Sequence, residues 1–126
     1  MKFYDCKTAP SPRRVRIFIA EKGLDIETVD IDLRKGEQMS AEYRAINPNC
    51  TVPALVLDDG NILQTTAGIW AYLEDLHPEP ALLGATALEK GRIADVRWKI
   101  EFAGLMAMAE ALRNSVPAMK GRALPG

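Results

Sequence analysis

The sequence predicts an α/β domain, a small mixed sheet covered by helices, followed by the start of an all-α region. Three observations carry that reading. Short apolar runs with strand-like alternation are interleaved with helical-period segments across residues 1–77. Turn chemistry separates them. Beyond a proline-rich stretch only a long helical pattern remains. The order is β-α-β-α-β-β-α: two parallel strands joined by a right-handed helical crossover, then a further helix, a hairpin and a last helix.

Each element has a local reason. KFYDC (2–6) is an apolar–aromatic strand, and KTAPSP (7–12) is a turn. RRVRIFIAEKG (13–23) is a helix with Val15, Ile19 and Lys22 on one side. Ser11 and Pro12 suit its N-cap and first turn, and Gly23 suits the stop. IETVDIDL (26–33) alternates as a strand, and RKGEQ (34–38) is a polar loop. SAEYRAIN (40–47) is a short helix closed by Pro48. PALVLDD (53–59) is a strand that breaks into a hairpin at 58–60, and NILQ (61–64) returns. TTAGIWAYLEDL (65–76) is a helix with Ile69, Tyr72, Leu73 and Leu76 on one face.

HPEPALLG (77–84) has the composition of a domain boundary. Residues 85–114 then read as one helix, about 45 Å long at 1.5 Å per residue. From Ile100 it is apolar nearly all round, IEFAGLMAMAEAL, and such a helix calls for cover by other helices or a partner. The tail SVPAMKGRALPG (115–126) offers none, so the expectation is part of a longer protein. The expected organisation is a domain over 1–80, a linker over 81–87 and an incomplete all-α domain over 88–126.

A net charge of −1 argues against nucleic acid or an anionic membrane as partner. No apolar run reaches 18 residues, and MKFYDC is not a signal peptide. Cys6 and Cys50 form no CxxC, and with one histidine they make no metal set. A cytoplasmic, reduced, metal-free protein is the default expectation. Cys6 reads as a buried inert thiol, Cys50 as a passive loop thiol, and His77 as the end of a helix.

APSPRRVRIFIAEKGL, NPNCTVPALVLDDG and LQTTAGIWAYLEDLHPE resemble, at the family's spacings, the N-terminal half of cytosolic glutathione S-transferases. The resemblance covers residues 1 to 80 and extends loosely into the long helix. It implies a thioredoxin-like domain, a homodimer, and glutathione as co-substrate for attack on an electrophilic, mostly apolar molecule. It also implies site residues. Val52 precedes a cis Pro53 and pairs by its backbone with the cysteinyl part of glutathione. Thr65 and Thr66 take the γ-glutamyl end at a helix N-terminus, where the family more often has an acidic residue and a serine. Gln38 and Thr51 match positions that reach the glycine carboxylate, with a solvated loop as the plain alternative. The three arginines 13, 14 and 16 read better as framework salt bridges than as a ligand cradle.

The thiolate-stabilising residue of serine and cysteine types falls at Ala9, which has neither group. Thr8, Ser11 or a held water remain as substitutes, with Asn114 and Ser115 as a remoter polar contact. The sequence is most similar to an atypical bacterial and fungal branch that lacks the usual Ser, Tyr or Cys. Three functions stay open: a transferase, a non-catalytic glutathione-binding or interaction protein, and a glutathione-dependent isomerase or peroxidase.

Overall fold

The computed structural model describes residues 1–119 and residue 121. It divides into two compact units, Met1–Leu82 and Leu83–Gly126. The first holds β1 (Lys2–Asp5), α1 (Pro10–Glu21), β2 (Glu27–Asp30), a 3-10 turn (Glu37–Met39), α2 (Ala41–Ile46), β3 (Ala54–Val56), β4 (Ile62–Leu63) and α3 (Thr66–Leu76). The order matches the one read from the sequence.

The sheet is four-stranded in the order β2-β1-β3-β4. β1 and β2 are parallel, with Phe3 beside Thr28, and α1 makes the crossover. β1 and β3 are antiparallel, with Tyr4 opposite Ala54, and β3 pairs antiparallel with β4, Leu55 opposite Leu63. The hairpin between them turns at Gly60, whose φ of 84° lies in the left-handed region that glycine tolerates. Phe3, Val15, Phe18, Leu55, Ile69 and Leu73 form the core.

Several expectations need correction. α1 starts at Pro10, not Pro12, and its N-cap is Ala9, which supplies no side-chain cap. Either proline can hold the first turn, since neither needs a backbone donor there. The extended backbone of Ala9 and the bond from its N–H to the Cys6 carbonyl (3.0 Å) place the start earlier. Ser11 therefore lies inside the first turn. Leu76, expected on the buried face of α3, is 49% exposed. Gln38, expected in a polar loop, lies in the 3-10 turn and is only 4% exposed.

Lys22 makes the least legible contact of the core. Its side chain is 0% exposed and its Nζ lies 2.6 Å from Glu74 Oε2. The same ammonium donates to the carbonyls of His77 and Pro80, both at 2.6 Å. All three ammonium protons thus have acceptors, which is what a buried lysine requires. The contact fastens the end of α1 to the end of α3 and to the chain beyond it.

In the second unit Thr86 and Glu89 form a reciprocal capping box that starts α4 (Ala87–Ile100). Residues Glu101–Met106 form a π-helical segment and α5 runs Ala107–Ser115. The single helix expected over 85–114 thus starts later and is interrupted by wider turns. Val96, Trp98, Ile100, Phe102, Met108 and Leu112 are exposed. A 3-10 turn follows at Pro117–Met119, and residues 120 and 122–126 of the expected tail lie outside the described residues.

Removing one partner of a buried pair leaves an uncompensated charge. Lys22→Ala is expected to lower the unfolding free energy by about 3–5 kcal/mol in urea titrations. The double change Lys22→Met with Glu74→Leu should recover most of that loss; equal losses in both proteins would contradict the account.

Candidate glutathione site

The register of the sheet gathers the sequence-predicted residues other than Gln38, which lies in the separate 3-10 turn Glu37–Met39. β3 runs antiparallel to β1, so the chain entering β3 lies at the end where β1 finishes. β4 is antiparallel to β3, so the chain leaving β4 lies there too. Three segments share that end: 6–11 after β1, 50–53 before β3 and 64–66 after β4. Thr66 Oγ1 donates to the Ser11 carbonyl at 3.4 Å and joins the starts of α1 and α3.

The β1–α1 segment is pinned by one ion pair. Arg16 Nη1 lies 2.7 Å from both oxygens of the buried Asp5. The same guanidinium donates to the Cys6 and Lys7 carbonyls, each at 3.3 Å, while the Cys6 N–H donates to Asp5 Oδ1 at 2.7 Å. Arg14 lies over the Trp70 ring, 5.6 Å from its centroid. Two of the three arginines are therefore framework.

Around Ala9 the available groups are few. Thr8 is exposed, and its Oγ1 sits 3.5 Å from the buried Cys6 Sγ. The Ala9 N–H is used by Cys6 and the Arg13 N–H by the Ala9 carbonyl at 3.4 Å. Pro10 and Pro12 have none, and Arg14 has Pro10 four residues back within the helix. The Ser11 N–H is the donor of this set with no helical carbonyl behind it.

At α3 the division of labour is clear. Thr65 is the N-cap, and its Oγ1 accepts from the Gly68 N–H at 3.0 Å. A Cβ on Gly68 would stand 3.0 Å from that oxygen, so glycine keeps the cap uncrowded. Thr66 is buried at the first position of the helix. The N–H groups of Thr66 and Ala67 begin an eleven-residue helix, at its positive end.

The segment before β3 is held from behind. The Val52-Pro53 bond is cis. Thr51 is exposed, but its carbonyl accepts from Tyr43 Oη at 2.6 Å and from Asn47 Nδ2 at 2.8 Å. Asn47 Nδ2 also reaches Thr51 Oγ1 at 3.1 Å, so this hydroxyl is tied inward. Cys50 turns the chain with a φ of 55°. Among the described residues no bond engages the Val52 N–H or C=O, and Gln38 Oε1 is a buried acceptor without a partner.

Sequence reasoning missed Tyr43 and Asn47. Asn47 is 0% exposed and Tyr43 2%. An asparagine directly before Pro48 at a helix end was the signal available. Burial, then the nearby Tyr4, push the Tyr43 hydroxyl up to about 12, with the Asn47 contact opposing. Tyr43 therefore stays a protonated donor through the neutral range.

Residues 8–76 match the family model "Glutathione S-transferase, N-terminal domain", over half of the chain. The chain belongs to the glutathione S-transferase family. It is 36% identical to glutathione S-transferase 2 of Saccharomyces cerevisiae over 121 residues, 94% of this chain and 52% of that protein. It is 40% identical to a maleylacetoacetate isomerase of Pseudomonas aeruginosa over 94 residues, 73% of this chain and 44% of that one. A solved glutathione transferase homologue from sulfitobacter, with bound glutathione, superposes with a TM-score of 0.81 at 27% identity, over 90% of this chain and 54% of that one. The chain spans about half the length of the curated relatives it matches. Among the described residues no group of three or more His, Cys, Asp and Glu could hold a metal ion, and no helix is long and apolar enough to cross a membrane.

A tyrosine whose ionisation is harder in the folded state stabilises that state only while it is protonated. The contribution is complete below the unfolded value of 10 and fades as pH rises toward about 12. Tyr43→Phe should remove this part of the alkaline loss of stability, seen in urea midpoints between pH 9 and about 12. Ultraviolet difference titration should lose the slowest-ionising tyrosine in the same variant.

Proposed function

We propose that this chain carries the glutathione-binding half of a transferase that ionises the glutathione thiol for attack on an electrophilic, mostly apolar molecule. The observation that carries the reading is the unpaired Val52 backbone, set at the same sheet end as the open N-termini of α1 and α3. The glutathione-bound relative supports the ligand.

The residues fit the tripeptide by chemistry. The Val52 N–H and C=O offer a strand-like pair to its cysteinyl unit. Thr65, Thr66 and the start of α3 suit a carboxylate. Gln38 would serve the glycyl carboxylate through its Nε2 donor, since its Oε1 is buried. Thr51 contributes through its backbone position rather than its tied hydroxyl. The thiol would then lie toward Ala9 and the start of α1. There a water held by the Ser11 N–H passes the thiol proton to bulk solvent and then donates to the thiolate, which the helix end also favours. Catalysis would rest on thiol activation and proximity.

We assign residues 1–80 to glutathione binding, 81–87 to a linker and 88–126 to part of a helical domain. The exposed apolar side chains of α4 and α5 support assembly, which we read as a homodimer. A cytoplasmic location and a role in detoxification follow the family expectation. The 40% identity to a maleylacetoacetate isomerase favours a second reading, glutathione-dependent isomerisation at the same site. Ala9 is the feature that favours a third, binding without turnover.

The test is a pH titration of thiolate absorbance for glutathione bound to the protein. A thiol pKa at least about one unit below 8.5 supports activation; binding without a shift supports a carrier. Turnover of a generic electrophile should survive Thr8→Ala and Ser11→Ala with losses below about ten-fold. A loss of about 10²-fold in either would assign the step to that hydroxyl instead of the water.

A further inference from the structure

We infer that Tyr43 and Asn47 are positioning residues for glutathione: acting through the Thr51 carbonyl, they turn the Val52 N–H outward to the ligand. The inference rests on the glutathione reading above. The Thr51 carbonyl and the Val52 N–H belong to one peptide unit. That unit is planar and trans, so its oxygen and its hydrogen point in opposite directions. Fixing the oxygen fixes the hydrogen.

The oxygen is fixed by two donors of different origin. Tyr43 Oη reaches it at 2.6 Å from within α2, and Asn47 Nδ2 at 2.8 Å from just beyond α2. Both donors are themselves immobile. The Tyr43 ring packs edge-on against Tyr4 of β1 at 5.8 Å between centroids. Its N–H is capped by Ser40 Oγ at 3.1 Å. The Asn47 N–H donates to the Tyr43 carbonyl at 2.8 Å, and its Oδ1 accepts from the Asn49 N–H at 3.1 Å. Gln64 Nε2 binds the Ile46 carbonyl at 2.9 Å and ties α2 to the chain leaving β4.

A carbonyl can accept two hydrogen bonds, and here both come from behind. The two acceptor positions of the oxygen are thus filled, and the peptide plane is held in one orientation. The opposite edge, the Val52 N–H, has no acceptor among the described residues. A donor held in one orientation and left without an acceptor is a preorganised contact, and its loss would be felt in affinity more than in chemistry. Neither side chain touches the ligand on this account.

The test compares parent, Tyr43→Phe and Asn47→Ser, with Leu73→Val as a core variant remote from the site. Glutathione binding is measured by calorimetry and turnover by steady-state kinetics on a generic electrophile. Tyr43→Phe should raise the Kd and KM for glutathione about five- to ten-fold and leave kcat within about two-fold. Asn47→Ser should act in the same direction. Leu73→Val should lower stability while leaving Kd within about two-fold. If Tyr43→Phe and Asn47→Ser bind as the parent does, or if Leu73→Val weakens binding equally, this inference falls and the glutathione reading stands. A parent that binds no glutathione overturns both.

Discussion

The antiparallel register that sets Tyr4 opposite Ala54 governs everything at the site end of the first unit. β1 delivers the Asp5–Arg16 pair and the turn to α1. The partner strand must then begin at the same edge, so the chain before Ala54 arrives beside that turn. β4 returns against β3 and delivers Thr65 and Thr66 to the same end. A register slip of one residue would turn either Phe3 or Leu55, both buried, to the opposite face, whichever strand moved. Burying these two apolar side chains favours the observed register by roughly 1.5–3 kcal/mol each. The site is thus positioned by core residues that have no part in its chemistry.

Two ionic contacts close the frame, and they differ in kind. Arg16 is about one-third exposed, while Asp5 is almost buried. Water screens the cation, but the carboxylate accepts from the Cys6 N–H and, through both oxygens, from Arg16 Nη1, which also reaches the Cys6 carbonyl. That pair orders a turn. Lys22 and Glu74 lie deeper, and two carbonyls complete the lysine's shell. A pair of that kind contributes little net stability compared with well-packed apolar groups, yet either member alone is costly. It specifies which helix ends meet. α1 and α3 are then held at their far ends by Lys22 and at their starts by the Thr66 bond to Ser11.

Much of this was legible locally. The alternation in KFYDC and IETVDIDL, the hairpin at 58–60 and the stop at Gly23 are short-range rules, and they located the elements. The resemblance supplied the site residues, because no spacing rule singles out Val52 or Thr66. What failed required distant partners. The burial of Lys22 depends on a glutamate 52 positions later, and the sequence set the lysine on one side with Val15 and Ile19 without showing what would neutralise it. Ser11 was a better cap than Ala9 by propensity, and the turn bond from Ala9 to Cys6 overrode it. Gln38 sat in a polar string, and only the fold shows it shielded. Tyr43 looked like one more apolar residue of a short helix, although its hydroxyl carries the consequence.

The absence of a hydroxyl at residue 9 is less damaging than it looks, and magnitudes show why. Lowering a thiol pKa by two units takes about 2.7 kcal/mol of preference for the thiolate. A charge-assisted hydrogen bond contributes roughly 1.5–3 kcal/mol, and a helix N-terminus about 0.3–1 kcal/mol, more when partly buried. A water oriented by the Ser11 N–H together with the end of α1, as proposed, would therefore span most of the requirement without any side-chain donor. Two features work in the same direction. The nearby Arg16 charge is consumed by Asp5, so it does not fix the anion in a wrong place. The Ala9 methyl is smaller than the side chains of the serine and cysteine types, and on the proposed reading a solvent molecule takes the difference. On the proposed reading, an alanine at this position would shift the task from a side chain to the backbone, and thiol activation would depend on the rigidity of the surrounding turn.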